Sequence, residues 1–242
     1  MANYIEKDIK IAKHYFILKI YPALEGTEDI CWEIFPSNYS ASLYAFSNKQ
    51  RIKNIIEKRY IYEPKKIEAV GELSQAQYYF ELAINSDDSD SLFLRALNGG
   101  DGKYGFLDII ENYAGTPAGM LANYSAGMSY LNLKDYVNAI NYLDKFKSKD
   151  VILNALAKGA IGDAFAQIGQ PEDAYDYYVA AFKASNNLFS APKYLYKAGM
   201  LGANLGKNKV ALSYFKRIKS DYPDADEAKL VEVQIGRLEN LR

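Results

Sequence analysis

Between residues 120 and 223, small and large apolar residues recur at a fixed spacing in three successive segments. In each segment a glycine is followed 12 residues later by an alanine, and the alanine four residues later by a large apolar side chain. The matched sets are Gly127, Ala139 and Leu143; Gly162, Ala174 and Tyr178; and Gly199, Ala211 and Phe215. Because residues three and four apart share a helix face, the pattern predicts three helix pairs that cross at the small residues.

Turn-forming residues separate the two halves of each segment. They are Leu133-Lys134-Asp135, Gly169-Gln170-Pro171 and Leu205-Gly206-Lys207-Asn208. Glycine ends a helix easily and proline opens one, so these strings predict the turn within each pair. Thr116-Pro117 predicts the N-cap and first turn of the first pair. Gly202 stands where the other copies carry Tyr130 and Phe165, which predicts a looser third crossing.

This repeat resembles the tetratricopeptide repeat, a helix–turn–helix unit with a period near 34 residues. The resemblance implies an all-α fold, an antiparallel helix-pair solenoid that winds as a right-handed superhelix. We predict a repeat domain over residues 62–242, with repeats at about 120–153, 155–188 and 192–225. Neighbouring units must cover the ends of such an array. A degenerate unit at 67–113 and a capping helix at 226–241, with Ala228, Val231, Ile235 and Leu238 in one stripe, are predicted to do so.

The first 61 residues do not repeat, and their fold is left open. The run from His14 to Tyr21 fits a buried strand, whereas the spacing from Ile5 to Phe16 fits a helix. Arg51–Tyr60 has helical spacing, and the joint near Glu63-Pro64 is basic. That basic joint is either a solvated helix face or a contact for anionic lipid or an acidic partner.

Charge and composition exclude several classes of function. A net charge of -1 gives no field that would attract nucleic acid. No stretch approaches the roughly 20 apolar residues of a membrane helix, so we expect a soluble chain with no membrane span. His14 and Cys31 are the only histidine and cysteine, and no phosphate-binding fingerprint follows a strand. We therefore predict no enzymatic activity, no metal and no cofactor.

Several longer strings extend the resemblance over residues 62–242. They are Gly105-Phe106-Leu107-Asp108-Ile109-Ile110, Gly115-Thr116-Pro117-Ala118-Gly119, Phe146-Lys147-Ser148-Lys149-Asp150 and Ile161-Gly162-Asp163-Ala164. They resemble bacterial tetratricopeptide proteins of the Bacteroidetes, which are similar to the ancillary subunit family of the Sec translocon. That resemblance implies a place in the cell envelope facing the periplasm. Its members carry an N-terminal membrane helix, which residues 1–60 lack, so the compartment stays open.

The first helix of each predicted pair should line the concave side, where a partner protein or extended peptide would bind. By phase, the candidate partner-binding residues are Tyr124, Met128, Asn132, Asp163, Gln167, Lys193, Tyr196, Met200 and Asn204. Asn132, Gln167 and Asn204 fall at nearly matching positions, and amide side chains both donate to and accept from a peptide backbone. Tyr124 and Met128 replace the cationic clamp of chaperone-adaptor repeats, so we expect no carboxylate clamp.

We thus predict a scaffold for protein–protein interaction, possible roles being envelope translocation or assembly, with the partner unidentified. Two alternatives stay open. In one, the chain is an accessory subunit whose N-terminal segment carries a separate ligand- or substrate-binding role. In the other, the chain self-associates through exposed repeat edges.

Overall fold

The computed structural model describes Lys58 and residues 62–240, and the structural statements below concern those residues. The predictions made for residues 1–57 and 59–61, including those for His14 and Cys31, lie outside them. The described residues contain α-helices, one short 3₁₀ helix and no strand. Of these, residues 64–240 belong to one compact unit that begins at Pro64.

Ten α-helices follow one another along this part of the chain. They are α1 (Glu63–Ile84), α2 (Ser89–Asn98), α3 (Phe106–Asn112), α4 (Pro117–Asn132), α5 (Tyr136–Lys145), α6 (Val151–Gln167), α7 (Pro171–Ala184), α8 (Ala191–Asn204), α9 (Asn208–Asp221) and α10 (Val231–Glu239). The 3₁₀ helix, Asp226–Lys229, lies between α9 and α10.

Each helix from α4 onwards packs against the next. Helices α4 and α5, α6 and α7, and α8 and α9 form pairs, and α5 packs on α6, α7 on α8 and α9 on α10. Within a pair the helices are antiparallel, because Gly127 meets Leu143 while Tyr130, one turn on, meets Tyr142. This arrangement confirms the predicted all-α helix-pair solenoid.

The paired helices cross at the predicted small residues. A Cβ atom built on each crossing glycine would collide with the side chain four residues after the alanine. The distances would be 2.5 Å to Cγ of Leu143 from Gly127, 2.7 Å to Cδ1 of Tyr178 from Gly162 and 2.6 Å to Cε1 of Phe215 from Gly199. Ala139, Ala174 and Ala211 are fully or almost fully buried. Only residues without a larger side chain allow this approach.

Aromatic stacking fills the space beside the first two crossings. The stacked pairs are Tyr130 on Tyr142, with centroids 5.4 Å apart, and Phe165 on Tyr177, 5.3 Å apart. In the third pair Gly202 supplies no ring. The ring of Tyr175 lies there instead, with Cε2 3.0 Å from the position of a Gly202 Cβ. The sequence predicted a looser third crossing, but the space is filled by a side chain from α7, a helix of the preceding pair.

The three turns within the pairs have one backbone geometry. Two residues after the end of each first helix the backbone takes a positive φ, at Lys134 (61°), Gly169 (75°) and Gly206 (73°). The next residue donates its N–H to a carbonyl five residues earlier: Asp135 to Tyr130 at 2.9 Å, Gln170 to Phe165 at 2.9 Å and Lys207 to Gly202 at 2.8 Å. These are the bonds of a Schellman C-cap, which satisfies carbonyls at the helix end.

The predicted degenerate unit contains three helices. Phe80 of α1 packs edge-on against Phe93 of α2 and Phe106 of α3, with centroid distances of 5.7 and 6.0 Å. A tight loop separates α2 from α3. A Cβ on Gly99 would lie 2.2 Å from the Lys103 carbonyl oxygen, so glycine is required there. Thr116 caps α4 as predicted, its Oγ1 accepting from the Gly119 N–H at 3.0 Å.

At the other end, the predicted cap over residues 226–241 is divided into the 3₁₀ helix and α10, with the break at Leu230. Val231, Ile235 and Leu238 are buried in the same cluster as Phe215 of α9. The apolar stripe therefore covers the last helix pair.

Candidate partner-binding face

The nine candidate residues lie on the first helix of each pair, α4, α6 and α8. We call the surface that these three helices present the first-helix face. Direct contacts join the helices: Asp163 of α6 forms an ion pair with Lys197 of α8. The hydrophobic cluster on which Tyr124 and Met128 of α4 pack contains Ala157 and Ile161 of α6.

Two of the candidate binding residues on α4 pack against the hydrophobic core. Tyr124 and Met128 are partly buried against the cluster that contains Leu143 and Phe146. The Tyr124 ring centroid is 5.2 Å from that of Phe146. Burial raises the pKa of the Tyr124 hydroxyl, so this group stays a neutral donor and acceptor at physiological pH.

Two candidates on α8 behave in the same way. Tyr196 and Met200 pack against the cluster of the last two helix pairs. The Tyr196 ring lies 6.0 Å, centroid to centroid, from that of Phe215. All four of these tyrosines and methionines therefore offer only part of their surface to a ligand.

The three amides are placed differently. Asn132, Gln167 and Asn204 are the last residues of α4, α6 and α8, and all three are exposed. Asn132 uses one amide hydrogen inside its own helix, donating from Nδ2 to the Met128 carbonyl at 2.8 Å. The structure thus places an exposed amide at the same end of every first helix.

Asp163 is already engaged by two partners. Its Oδ1 accepts from the Tyr178 hydroxyl at 2.7 Å and from Lys197 Nζ at 2.5 Å. Lys197 Nζ also lies 5.4 Å from the centroid of the Tyr178 ring. This polar cluster ties α6, α7 and α8 together, and its half-buried carboxylate and ammonium groups compensate each other.

Tyr194 completes the cluster. A Cβ built on Gly159 would lie 2.0 Å from ring atoms Cε1 and Cζ of Tyr194, so the ring rests on the backbone of α6. Tyr194 also stacks on Tyr178 with centroids 6.5 Å apart. The exposed Lys193 places its Nζ 5.8 Å from the Tyr194 centroid.

Tyr194 and Lys197 were missed by the sequence prediction, which selected Lys193 and Tyr196 on the same helix. One feature of the sequence could have identified Lys197. Asp163 and Lys197 are opposite charges separated by 34 residues, which is one repeat length. In parallel neighbouring helices, residues one period apart lie level with each other.

The electrostatics of the cluster keep its tyrosines neutral. Burial, and then the hydrogen bond to Asp163 and its charge, raise the pKa of Tyr178 well above the ordinary value of 10.0. Burial and the Asp163 charge also raise the pKa of Tyr194. Both hydroxyls are therefore held as neutral hydrogen-bonding groups.

Over the described range, no three histidine, cysteine, aspartate or glutamate side chains converge as a metal site would require. In the same range no helix has the length and apolar character needed to cross a bilayer. What the face offers a ligand is amide groups, neutral phenols, apolar side chains, one compensated ion pair and the exposed Lys193.

The phased helix pairs, their small-residue crossings and their shared turn geometry define a helical-repeat solenoid, the fold that the tetratricopeptide resemblance implies. No protein-family model matches the chain, and no curated protein sequence matches it. Among solved structures, MamA AMB-1 is similar at 20% identity, over 70% of this chain and 98% of its own, with a TM-score of 0.43. PilW, a widely conserved type IV pilus biogenesis factor, is similar at 16% identity, over 79% of this chain and 95% of its own, also with a TM-score of 0.43.

Proposed function

We propose that this chain is a non-enzymatic scaffold that holds an extended segment of a partner protein along the first-helix face. The observation that carries the proposal is the row of exposed amides, Asn132, Gln167 and Asn204, at the same end of α4, α6 and α8. Packed helices lie about 8–10 Å apart. An extended chain covers that distance in about three residues, at roughly 3.3 Å each, so one amide per repeat can meet every third residue of a peptide.

The chemistry of the face supports recognition of backbone over charge. Asp163 and Lys197 neutralise each other, and the tyrosine hydroxyls stay uncharged. Amides can donate to and accept from peptide groups of any sequence. Partly buried Tyr124, Met128 and Met200 add adaptable apolar contact. With Lys193 as the one exposed candidate cation, the occupant that fits is an extended segment with little positive charge.

The resemblance to translocon-associated envelope repeat proteins supports a partner in envelope protein translocation or assembly. The face itself carries no feature that depends on that location. The partner is therefore best identified by crosslinking in cells, with the crosslinking groups placed at the positions of the exposed amides.

A photo-crosslinking side chain placed at Gln167 or at Asn204 tests the proposal. Both residues are exposed at the ends of first helices, whereas Asn141 is an exposed amide on the second helix α5 and serves as the matched control. We expect the same protein to be crosslinked from 167 and 204 and not from 141. Crosslinks to one common set of proteins from all three positions would contradict the proposal.

Once the partner segment is known, its affinity provides a second check. Replacing the three amides by alanine should weaken binding by about tenfold or more, since each lost hydrogen bond costs roughly 0.5–1.5 kcal/mol. The Asn141→Ala variant should bind as the parent does. Unchanged affinity in the triple variant would show that the amides take no part.

A further inference from the structure

Two large apolar side chains project from the connection between α7 and α8. Leu188 is 78% exposed and its neighbour Phe189 is 72% exposed. We call these two residues the apolar tip. Burying them in an apolar environment would be favourable, so their exposure side by side requires an explanation.

The loop that carries the tip is held in place by its own polar groups. Oδ1 of Asn187 accepts from the N–H groups of Phe189 and Ser190, both at 2.7 Å. Its Nδ2 donates to Ser190 Oγ at 2.9 Å and to the buried Ser185. The tip is therefore preorganised, and little conformational entropy is lost when it is buried.

Neighbouring helices hold the loop from the other side. Asn186 Oδ1 accepts from Arg217 Nη2 at 2.7 Å and from the hydroxyl of Tyr222. Arg217 lies near the end of α9 and Tyr222 directly follows that helix, so Asn186 fixes the loop to this end of α9.

A second apolar pair lies on the same edge. Val151 and Ile152 at the start of α6 are 55% and 39% exposed. The contact between Asp163 and Lys197 fixes an offset of 34 residues between α6 and α8. Val151 and Ile152 open α6, and the apolar tip directly precedes α8, so both pairs lie at the N-terminal ends of parallel first helices.

The charge available on this edge is positive. Lys149, Lys183 and Lys193 are exposed, and none forms an ion pair with another described residue. Two of the carboxylates nearby are engaged. Asp150 caps α6 by accepting from Ile152 N–H at 2.8 Å, and Asp221 pairs with Arg217.

We propose that the apolar tip inserts into an anionic lipid surface, with these three lysines at the level of the headgroups. Two contributions favour binding to such a membrane: burial of apolar area and attraction to negative lipids. The preorganised apolar tip supplies the first, and the unpaired lysines supply the second. A second copy docked through the same patch would bring the lysine rims together, which like-charge repulsion opposes.

Co-sedimentation of the full chain with vesicles tests the proposal. The vesicles contain phosphatidylcholine alone or with about one third phosphatidylglycerol. We expect binding to the anionic vesicles that weakens with salt, and about tenfold weaker binding in the Leu188→Ser/Phe189→Ser variant. Lys183→Ala/Lys193→Ala should weaken it too, whereas Val137→Ser, an equally exposed change on α5, should not.

Both tip residues are exposed, so the double serine variant should keep the melting temperature of the parent, which a thermal melt verifies. Equal vesicle binding by the parent and this variant would overturn the proposal. Failure of the parent to bind anionic vesicles would also overturn the proposal. That outcome includes the case in which the tip is needed only to capture a protein.

Discussion

The ring of Tyr194 lies directly over the backbone of Gly159, where a Cβ atom would be 2.0 Å from two ring carbons. Gly159 belongs to α6 and Tyr194 to α8, so this contact joins two repeats. The place three residues before a crossing glycine is occupied by Tyr124 in the first repeat and Tyr196 in the third. In the second repeat it is Gly159, and the ring comes from the next repeat instead.

This contact predicts that Gly159→Ala destabilises the protein, although alanine is the better helix former. The added methyl group has to displace the Tyr194 ring, and overpacking of this kind costs about 1–3 kcal/mol. The free energy of unfolding in urea measures the loss.

Gly71→Ala is the matched control, because a Cβ on this helical glycine meets nothing within 4 Å. It should stabilise by about 0.5–1 kcal/mol. In a Tyr194→Ala background the cost of Gly159→Ala should largely disappear, since the two residues act through one contact. A cost for Gly159→Ala that is the same in both backgrounds would place the strain elsewhere.

The turn geometry predicts opposite effects at equivalent positions. Lys134 has a positive φ of 61° where the other pairs have Gly169 and Gly206. Left-handed backbone costs a non-glycine residue about 1–2 kcal/mol, so Lys134→Gly should stabilise by about 1 kcal/mol. Gly169→Ala should destabilise by a similar amount, although nothing lies within 4 Å of its Cβ position.

Denaturant titrations check that Lys134→Gly raises the free energy of unfolding and that Gly169→Ala lowers it. Ser213→Gly, at an exposed position inside α9, is the control and should destabilise by about 0.5 kcal/mol. Loss of stability in Lys134→Gly as well would contradict the shared geometry.

Tyrosine ionisation predicts the alkaline limit of stability. Folding raises the pKa of Tyr178 and of Tyr194, through burial and through Asp163. Above pH 10 these groups ionise in the unfolded chain and stay protonated in the folded one, so the folded state binds more protons and stability falls as pH rises. Their contribution is fully present below pH 10.

Unfolding free energies between pH 7 and pH 11 measure that decline. The Tyr178→Phe and Tyr194→Phe variants should each lose less stability than the parent above pH 10, because one proton-linked group is gone. Parallel pH profiles for the parent and both variants would rule out this origin of the decline.

The sequence predicted what a single repeat contains. Gly127 and Leu143 lie on neighbouring helices of one pair, so their spacing is visible as a pattern and their contact follows from helix geometry. The turns and the Thr116 cap were predictable for the same reason, since capping and turn chemistry act over a few residues.

Contacts between repeats were not predictable in this way. Tyr175 fills the space at Gly202, and Tyr194 rests on Gly159, across 27 and 35 residues. A repeat pattern shows which positions are equivalent, but it does not show which side chain of the next unit reaches them. The third crossing was expected to be loose because only its own residues were considered.

For the candidate site, too, the sequence predicted some features and not others. Helical phase predicted nearly matching positions for Asn132, Gln167 and Asn204, and all three are exposed at the ends of their helices. Helical phase does not show how deeply a side chain is buried. Tyr124 is partly buried against Phe146, in a hydrophobic cluster that α4 shares with the neighbouring helices. Whether these residues bind a partner stays a prediction.

The most direct test of the account is replacement of Ala174, a fully buried alanine at the second crossing, by tryptophan. Ala166→Trp is the control, because Ala166 lies exposed on α6 in the same repeat. If backbones meet at small residues, thermal unfolding of Ala174→Trp should begin at least about 5 °C below the parent, with Ala166→Trp close to the parent. A melting temperature for Ala174→Trp equal to that of the parent would contradict the small-residue crossing on which the repeat array depends.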